Sequence, residues 1–160
     1  MKTKDIVEIS LMSAIIFILS PIEIPLNPVP ITLQTLGVML AGTLLGSRKG
    51  AIATLIYVLL ISKNIVTPTG GFIVSFPIAA YFIGLAIEKT NKSTVNIFIA
   101  NLIFGILLVY LIGIPWIMFY LKTNLKATLS FAFYPFILGD IFKAVVVTAV
   151  SLKLFKIIKK

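Results

Sequence analysis

Long apolar segments with very few charges are the feature that most constrains the fold of this chain. Of its 160 residues, 59% are hydrophobic and only 12% are charged, and the mean hydropathy is +1.13. Soluble domains carry about twice that charged fraction. Because a membrane-spanning helix needs about 20 apolar residues, five or six spans with short loops would use nearly the whole chain. The composition therefore predicts an all-α integral membrane protein in which residues 1–160 form one domain.

The residue types that the chain lacks exclude several kinds of site. Cysteine and histidine are both absent, so disulfides, a histidine-based catalytic triad and the usual ligands of zinc or haem are excluded. No Gly-x-x-x-x-Gly-Lys-Ser/Thr motif occurs, so this chain is not expected to hydrolyse ATP by that route. The net charge of +9 is typical of cytoplasmic loops in a protein this apolar, and we do not interpret it as a nucleic-acid surface.

Apolar runs and turn signals divide the chain into six predicted spans. A proline-rich loop, residues 21–30, separates the first span from the second. A glycine-containing loop, residues 63–71, separates the third span from the fourth. Residues 116–134 are predicted to be a partly helical surface loop, with the fifth span ending around Pro115 and Trp116 acting as an interface anchor. The six predicted spans are residues 5–20, 31–46, 51–62, 72–88, 95–114 and 135–156.

The distribution of basic residues predicts the orientation of these spans. With the N-terminus inside, three basic residues, Lys63, Lys122 and Lys126, fall in outer loops. Many more basic residues fall in the alternate segments, and this excess places both termini in the cytoplasm and the two turn-rich loops outside. Ten basic residues fall in cytoplasmic segments: Lys2, Lys4, Arg48, Lys49, Lys89, Lys92, Lys153, Lys156, Lys159 and Lys160.

Asp140 and Lys143 stand out as opposite charges inside the last apolar run. Their spacing puts them on one face of a helix, where they can reach each other or a common ligand. Charged groups at membrane depth are costly and usually face a protein-lined cavity. Topology places this pair just below the outer end of the helix, beneath the apolar loop 21–30, which we expect to pack on the bundle as a lid. The alternatives are a ligand site and an internal ion pair that fixes helix packing.

A second group of polar residues comes from the predicted outer ends of other spans. Asn64 and the segment 67–71, which includes Thr69, form either an ordinary turn or a binding loop. Thr32 and Gln34 open the second span and serve either as ligand contacts or as caps and interhelical bonds. Asn101 is interpreted as an interhelical hydrogen-bonding residue.

Three stretches in order resemble the BioY family. They are Val29-Pro30-Ile31-Thr32-Leu33-Gln34-Thr35, then Pro68-Thr69-Gly70-Gly71, and finally Gly139-Asp140-x-x-Lys143. BioY proteins are the biotin-specific substrate-binding subunits (S components) of energy-coupling factor transporters, and the resemblance covers nearly the whole chain.

The resemblance implies a function and a set of partners. The chain would capture biotin at the outer face of the cytoplasmic membrane of a prokaryote and would not be an enzyme. Transport would need an EcfT-type transmembrane coupling protein and two ABC-type ATPases, and only these ATPases would hydrolyse ATP. Ser10 and Ala14 form a small-xxx-small pair on the first helix, at the position where the family docks on its coupling subunit.

The sequence departs from the family pattern in the loop after the third span. That loop is shorter than usual, the family's tyrosine after Gly-Gly is replaced by Phe72, and Asn64 matches the family's loop asparagine. Phe72, Leu33 and Tyr110 are expected to form apolar walls for the biotin bicycle, with Asp140 and Lys143 as polar contacts. Lipoate or a biotin precursor is the alternative ligand; a membrane enzyme using Asp140 and a purely structural bundle are the alternatives from other classes.

Overall fold

A computed structural model describes residues 2–158. Met1, Lys159 and Lys160 lie outside the described residues, and the two lysines are the last of the cytoplasmic charges counted above. The described part is mostly helical, with one two-stranded antiparallel ribbon in which Glu23 pairs with Thr32. Thr94–Leu121 is a continuous helical stretch whose middle is π-helical. The elements are α1 (Thr3–Leu19), β1 (Glu23–Ile24), β2 (Ile31–Thr32), α2 (Gln34–Leu60), a 3₁₀ turn (Ser62–Ile65), α3 (Gly70–Glu88), α4 (Thr94–Ala100), the π segment (Asn101–Leu107), α5 (Leu108–Leu121), α6 (Leu125–Ala132) and α7 (Ile137–Ile158).

Helix α2 is a hairpin of two arms that reverse direction at Gly46. Gly46 has φ 81° and ψ −176°, a conformation that glycine adopts without the steric cost of a Cβ. Ser20 Oγ accepts hydrogen bonds of 2.9 Å from both Gln34 Nε2 and Tyr57 Oη. In one straight helix these two donors would be about 35 Å apart. The two arms therefore correspond to the second and third helices that the sequence predicts.

Small residues let the first arm of α2 approach α3 closely. A Cβ on Gly42 would lie 2.7 Å from the carbonyl oxygen of Ala80 and 2.9 Å from Cβ of Ile83. Asn101 donates from Nδ2 to Thr43 Oγ1 at 3.1 Å, which confirms its interhelical role. These contacts hold the arm against both α3 and the π segment.

The predicted end of the fifth span around Pro115 is wrong. Helix α5 continues through Pro115 to Leu121 and stops where Lys122 adopts a left-handed conformation with φ 53°. Ile117 is fully buried, so apolar packing beyond the proline offsets the hydrogen bond that proline cannot make. The predicted surface loop consequently contains the end of α5 and a separate helix, α6, which bends by 51° into α7.

Among residues 2–158, three helical stretches are long and apolar enough to cross a membrane, Gln34–Leu60, Gly70–Glu88 and Thr94–Leu121, the first taken with both of its arms. Helices α6 and α7 add a fourth candidate when the bent pair is counted as one span. Large apolar side chains are exposed along α1 as well, among them Leu11 and Ile18. Contiguous apolar surface of this extent is typical of a protein surrounded by lipid.

Candidate ligand-binding site

A cavity lies below the β1–β2 ribbon, between one end of the α2 hairpin and helices α3, α5 and α7. Its empty volume, which includes open solvent at the mouth, is about 790 Å³. Of the nine side chains predicted from the sequence as polar contacts or apolar walls of the site, eight line it, and the prediction for Leu33 is wrong. These eight are Thr32, Gln34, Asn64, Thr69, Phe72, Tyr110, Asp140 and Lys143.

Asp140 and Lys143 form a buried ion pair at the closed end of the cavity. Lys143 Nζ lies 2.8 Å from Asp140 Oδ1, and the two residues are only 8% and 6% exposed. Their spacing along α7 places both on the face that packs toward α2 and α5. Removal of either partner would leave an uncompensated buried charge.

Two hydroxyl groups complete a network around this pair. Tyr110 Oη donates to Asp140 Oδ2 at 2.5 Å, a length typical of a hydroxyl on a carboxylate. Lys143 Nζ donates to Thr35 Oγ1 at 3.0 Å. An ammonium has three donors, and two of those on Lys143 are used by Asp140 and Thr35. The network therefore offers a ligand one ammonium N–H and the remaining acceptor capacity of the Asp140 carboxylate.

Aromatic side chains form much of the apolar wall. Phe72 and Tyr110 meet edge to face, with ring centroids 5.8 Å apart, an arrangement that aromatic pairs prefer. Phe76 and Phe136 lie on the same wall and are almost completely buried. A wide apolar wall with a few fixed polar groups at one end is the usual form of a small-molecule pocket.

The ribbon and the loop after α2 form the rim of the cavity. Val29 lines the cavity and is 5% exposed, so the proline-rich segment does pack on the bundle as the sequence predicts. Glu23 and Asn64 also line the cavity but are exposed. The rim is thus the open end, opposite the buried pair on α7.

Thr32 and Gln34 have structural contacts in addition to their position on the cavity wall. Thr32 Oγ1 accepts from the backbone N–H of Gln34 at 3.3 Å, and Gln34 Nε2 donates to Ser20. Both of the roles considered from sequence, capping or interhelical bonding and lining the site, are therefore geometrically compatible. No hydrogen bond from residues 2–158 reaches the side-chain carbonyl of Gln34, so it can accept one from a ligand.

Trp116 fixes the loop that carries Asn64 and Thr69. Its Nε1–H donates to the carbonyl of Thr67 at 2.9 Å, and its ring lies against Gly70 and Gly71. This contact differs from the interface-anchor role expected from sequence. A side chain at either glycine would collide with its neighbours, which explains the Gly-Gly pair at the start of α3.

Several residues of the site were not singled out from sequence. Thr35 belongs to the stretch Val29–Thr35, so its position in that motif was the available signal. Glu23, Phe76 and Phe136 gave none, because an acid in a loop and phenylalanines in apolar helices have many other roles.

The predicted docking pair lies on a different surface. Ser10 and Ala14 are exposed on α1 and line a shallow groove with Ile56 and Leu60 of the second α2 arm. Ser13 lines the same groove, and its hydroxyl is buried without a hydrogen-bond partner in the described part of the chain. This groove is apolar and separate from the cavity.

Comparison with known proteins shows which family has this arrangement. The model of the BioY family matches residues 1–160. The chain belongs to the BioY family. The resemblance drawn from the three sequence stretches is confirmed, and with it the expectation of a transporter component and not an enzyme.

Individual BioY relatives match over nearly their full length. The chain is 33% identical to the probable biotin transporter BioY of Bacillus subtilis (strain 168), covering 96% of this chain and 91% of the relative. It is 38% identical to the biotin transporter BioY of Rhizobium etli, covering 91% and 90%. The crystal structure of the S-component for biotin from an ECF-type ABC transporter superposes with a TM-score of 0.87 at 28% identity, covering 98% of this chain and 95% of that one.

Proposed function

We propose that this chain is the biotin-binding membrane subunit of an energy-coupling factor transporter and mediates biotin uptake. The observation that carries the proposal is the cavity of a BioY-family chain whose closed end holds the Asp140–Lys143 pair beside Tyr110 and Thr35. The eight sequence-predicted contacts are its binding residues in this proposal. Their common location in one cavity supports that assignment.

The chemistry of biotin fits such a cavity. Its bicycle is apolar on both faces, and its ureido group carries two N–H donors and one carbonyl acceptor. The aromatic wall of Phe72 and Tyr110 suits the bicycle, and the carboxylate and ammonium on α7 suit the polar edge. Burial of this charged pair, which gains little stability on its own, is better explained by a ligand than by packing alone.

The membrane arrangement that we propose has a single domain with six spanning helices and both termini in the cytoplasm. Six helical segments support it: α1, the two arms of α2, α3, Thr94–Leu121 and α7. The concentration of basic residues in the predicted cytoplasmic segments supports the orientation. The cavity rim then faces outward in the cytoplasmic membrane of a prokaryote.

The partners in this proposal are an EcfT-type coupling protein and two ABC-type ATPases. The groove at Ser10 and Ala14 supports the docking assignment, because small exposed side chains allow a second helix to approach closely. The chain carries no P-loop sequence, so energy for uptake comes from the ATPase subunits.

Native mass spectrometry of the protein purified from cells tests the ligand assignment. Bound biotin is the expected result, and the bound fraction should be lower in the Asp140→Asn variant. A thermal-shift panel compares how much biotin, lipoate and biotin precursors each raise the unfolding temperature. A response to lipoate or a precursor without one to biotin would contradict the biotin assignment and favour the alternative ligand.

A further inference from the structure

Three charged side chains line the cavity, and their arrangement is uneven. Asp140 and Lys143 neutralise each other at 2.8 Å in the closed end. Glu23 is exposed at the rim on β1, and no basic side chain of residues 2–158 lies within salt-bridge distance of it. The lining therefore carries a net charge of −1, located at the mouth.

The closed end favours a neutral polar group over a second anion. A ligand carboxylate placed there would share one ammonium with Asp140 and leave an excess negative charge in a buried site, which is costly. A ureido group is neutral and can donate an N–H to the Asp140 carboxylate while its carbonyl accepts from the third N–H of Lys143. The charge balance therefore directs the ring system inward and the carboxyl end of biotin to the rim.

At the rim, the carboxyl end meets Glu23. We propose that Glu23 is a specificity-determining residue that raises the affinity of the site for biotin derivatives with an amidated, neutral or cationic end relative to its affinity for free biotin. This inference rests on the proposed function, since it takes biotin as the parent ligand. Conversion of the carboxylate to an amide removes the repulsion, and a pendant ammonium replaces it with attraction.

Three probes with one ring system and different terminal charge test the proposal: biotin (−1), biotinamide (0) and the ethylenediamine monoamide of biotin (+1). Affinities are measured by calorimetry on the protein in nanodiscs for the wild type, Glu23→Gln and Glu23→Asp. The quantity compared is the ratio of the affinity for the +1 probe to that for biotin. We expect Glu23→Gln to lower this ratio about threefold to tenfold, the modest effect of an exposed charge on two probes that differ by two charge units, and Glu23→Asp to preserve most of it.

Asp5→Asn is the matched control, because it changes the net charge of the protein by the same amount. Asp5 lies at the start of α1, about 22 Å along the helix from Ser20, which contacts Gln34 on the cavity wall. An equal change of the ratio in Asp5→Asn, or an unchanged ratio in Glu23→Gln, overturns the role of Glu23. Failure of all three probes to bind the wild type would instead contradict the proposed function.

Salt dependence of the wild type gives a second measurement that needs no variant. The Debye length falls from about 30 Å at 0.01 M salt to about 3 Å at 1 M. If Glu23 acts through its charge, the affinity ratio decreases toward its Glu23→Gln value as salt rises. A ratio that does not respond to salt would overturn the proposal.

Discussion

At the scale of single residues, the buried charges of α7 were the easiest part of the site to predict. Asp140 and Lys143 are conspicuous because an apolar helix tolerates charges only where protein surrounds them. Thr35 had no signal beyond its place in the Val29–Thr35 stretch and Glu23 had none, since a threonine and a loop acid become informative only when the fold brings them to the same cavity. A residue type indicates its role from sequence alone only where its placement costs free energy, as a charge in an apolar helix does.

Asp140→Asn is expected to weaken biotin binding by about tenfold or more, because hydrogen bonds to charged groups are worth about 1.5–3 kcal/mol. Calorimetry in nanodiscs measures this. The variant also leaves Lys143 buried without its counter-charge, which lowers stability. In the double variant Asp140→Asn, Lys143→Met, the thermal stability should recover while binding remains weak. Unchanged biotin affinity in the single variant Asp140→Asn would remove Asp140 from the site.

At the scale of elements, the helices followed from apolar length, but their ends and breaks depended on tertiary packing. The sequence predicts the break between the second and third spans just after Gly46, and the structure places the reversal at Gly46 itself. The second arm begins with Ser47, whose backbone N–H and hydroxyl both donate to the Glu88 carboxylate of α3 at 2.7 and 2.8 Å. No sequence signal connects residues this far apart. The same limit explains why α5 was ended too early at Pro115.

Gly46→Ala is expected to destabilise the protein by about 2 kcal/mol or more. A Cβ at φ 81° is strained, and it would also collide with the Glu88 carboxylate. Thermal unfolding measures the effect. Gly139→Ala is the matched control: Gly139 is helical, and a Cβ there would meet nothing within 4 Å, so stability should be unchanged or rise by about 0.5–1 kcal/mol. Equal effects of the two substitutions would refute the role of the turn.

Trp116→Phe is expected to weaken biotin binding about threefold to tenfold, mainly through faster dissociation. The phenylalanine keeps most of the packing but cannot donate to the Thr67 carbonyl, so the loop carrying Asn64 and Thr69 is less well ordered. Stopped-flow release measures the dissociation rate. Tyr120→Phe removes a longer, exposed 3.4 Å bond to the same loop at Val66 and should have a smaller effect. A larger loss in the Tyr120 variant would contradict this account.

At the scale of the whole molecule, the cavity and the α1 groove are separate surfaces, which allows capture and coupling to be tested apart. We expect Ser10→Leu with Ala14→Leu to abolish biotin uptake by cells while binding to the isolated protein is unchanged, because bulky side chains prevent close helix approach. Val145→Leu on α7, which is exposed and lies outside the groove, is the control and should retain uptake. Normal uptake by the double variant would show that this groove is not the docking surface.

The contact between Trp116 and the rim loop has a spectroscopic consequence. The chain contains one tryptophan, and its indole N–H is bonded to the same loop that contributes Asn64 and Thr69 to the cavity. With excitation selective for tryptophan, the emission therefore comes from this one side chain, and any change of the loop on ligand binding would change its surroundings. Each molecule of the wild-type protein carries its own optical reporter of vitamin capture, and no label has to be introduced to follow the event in real time.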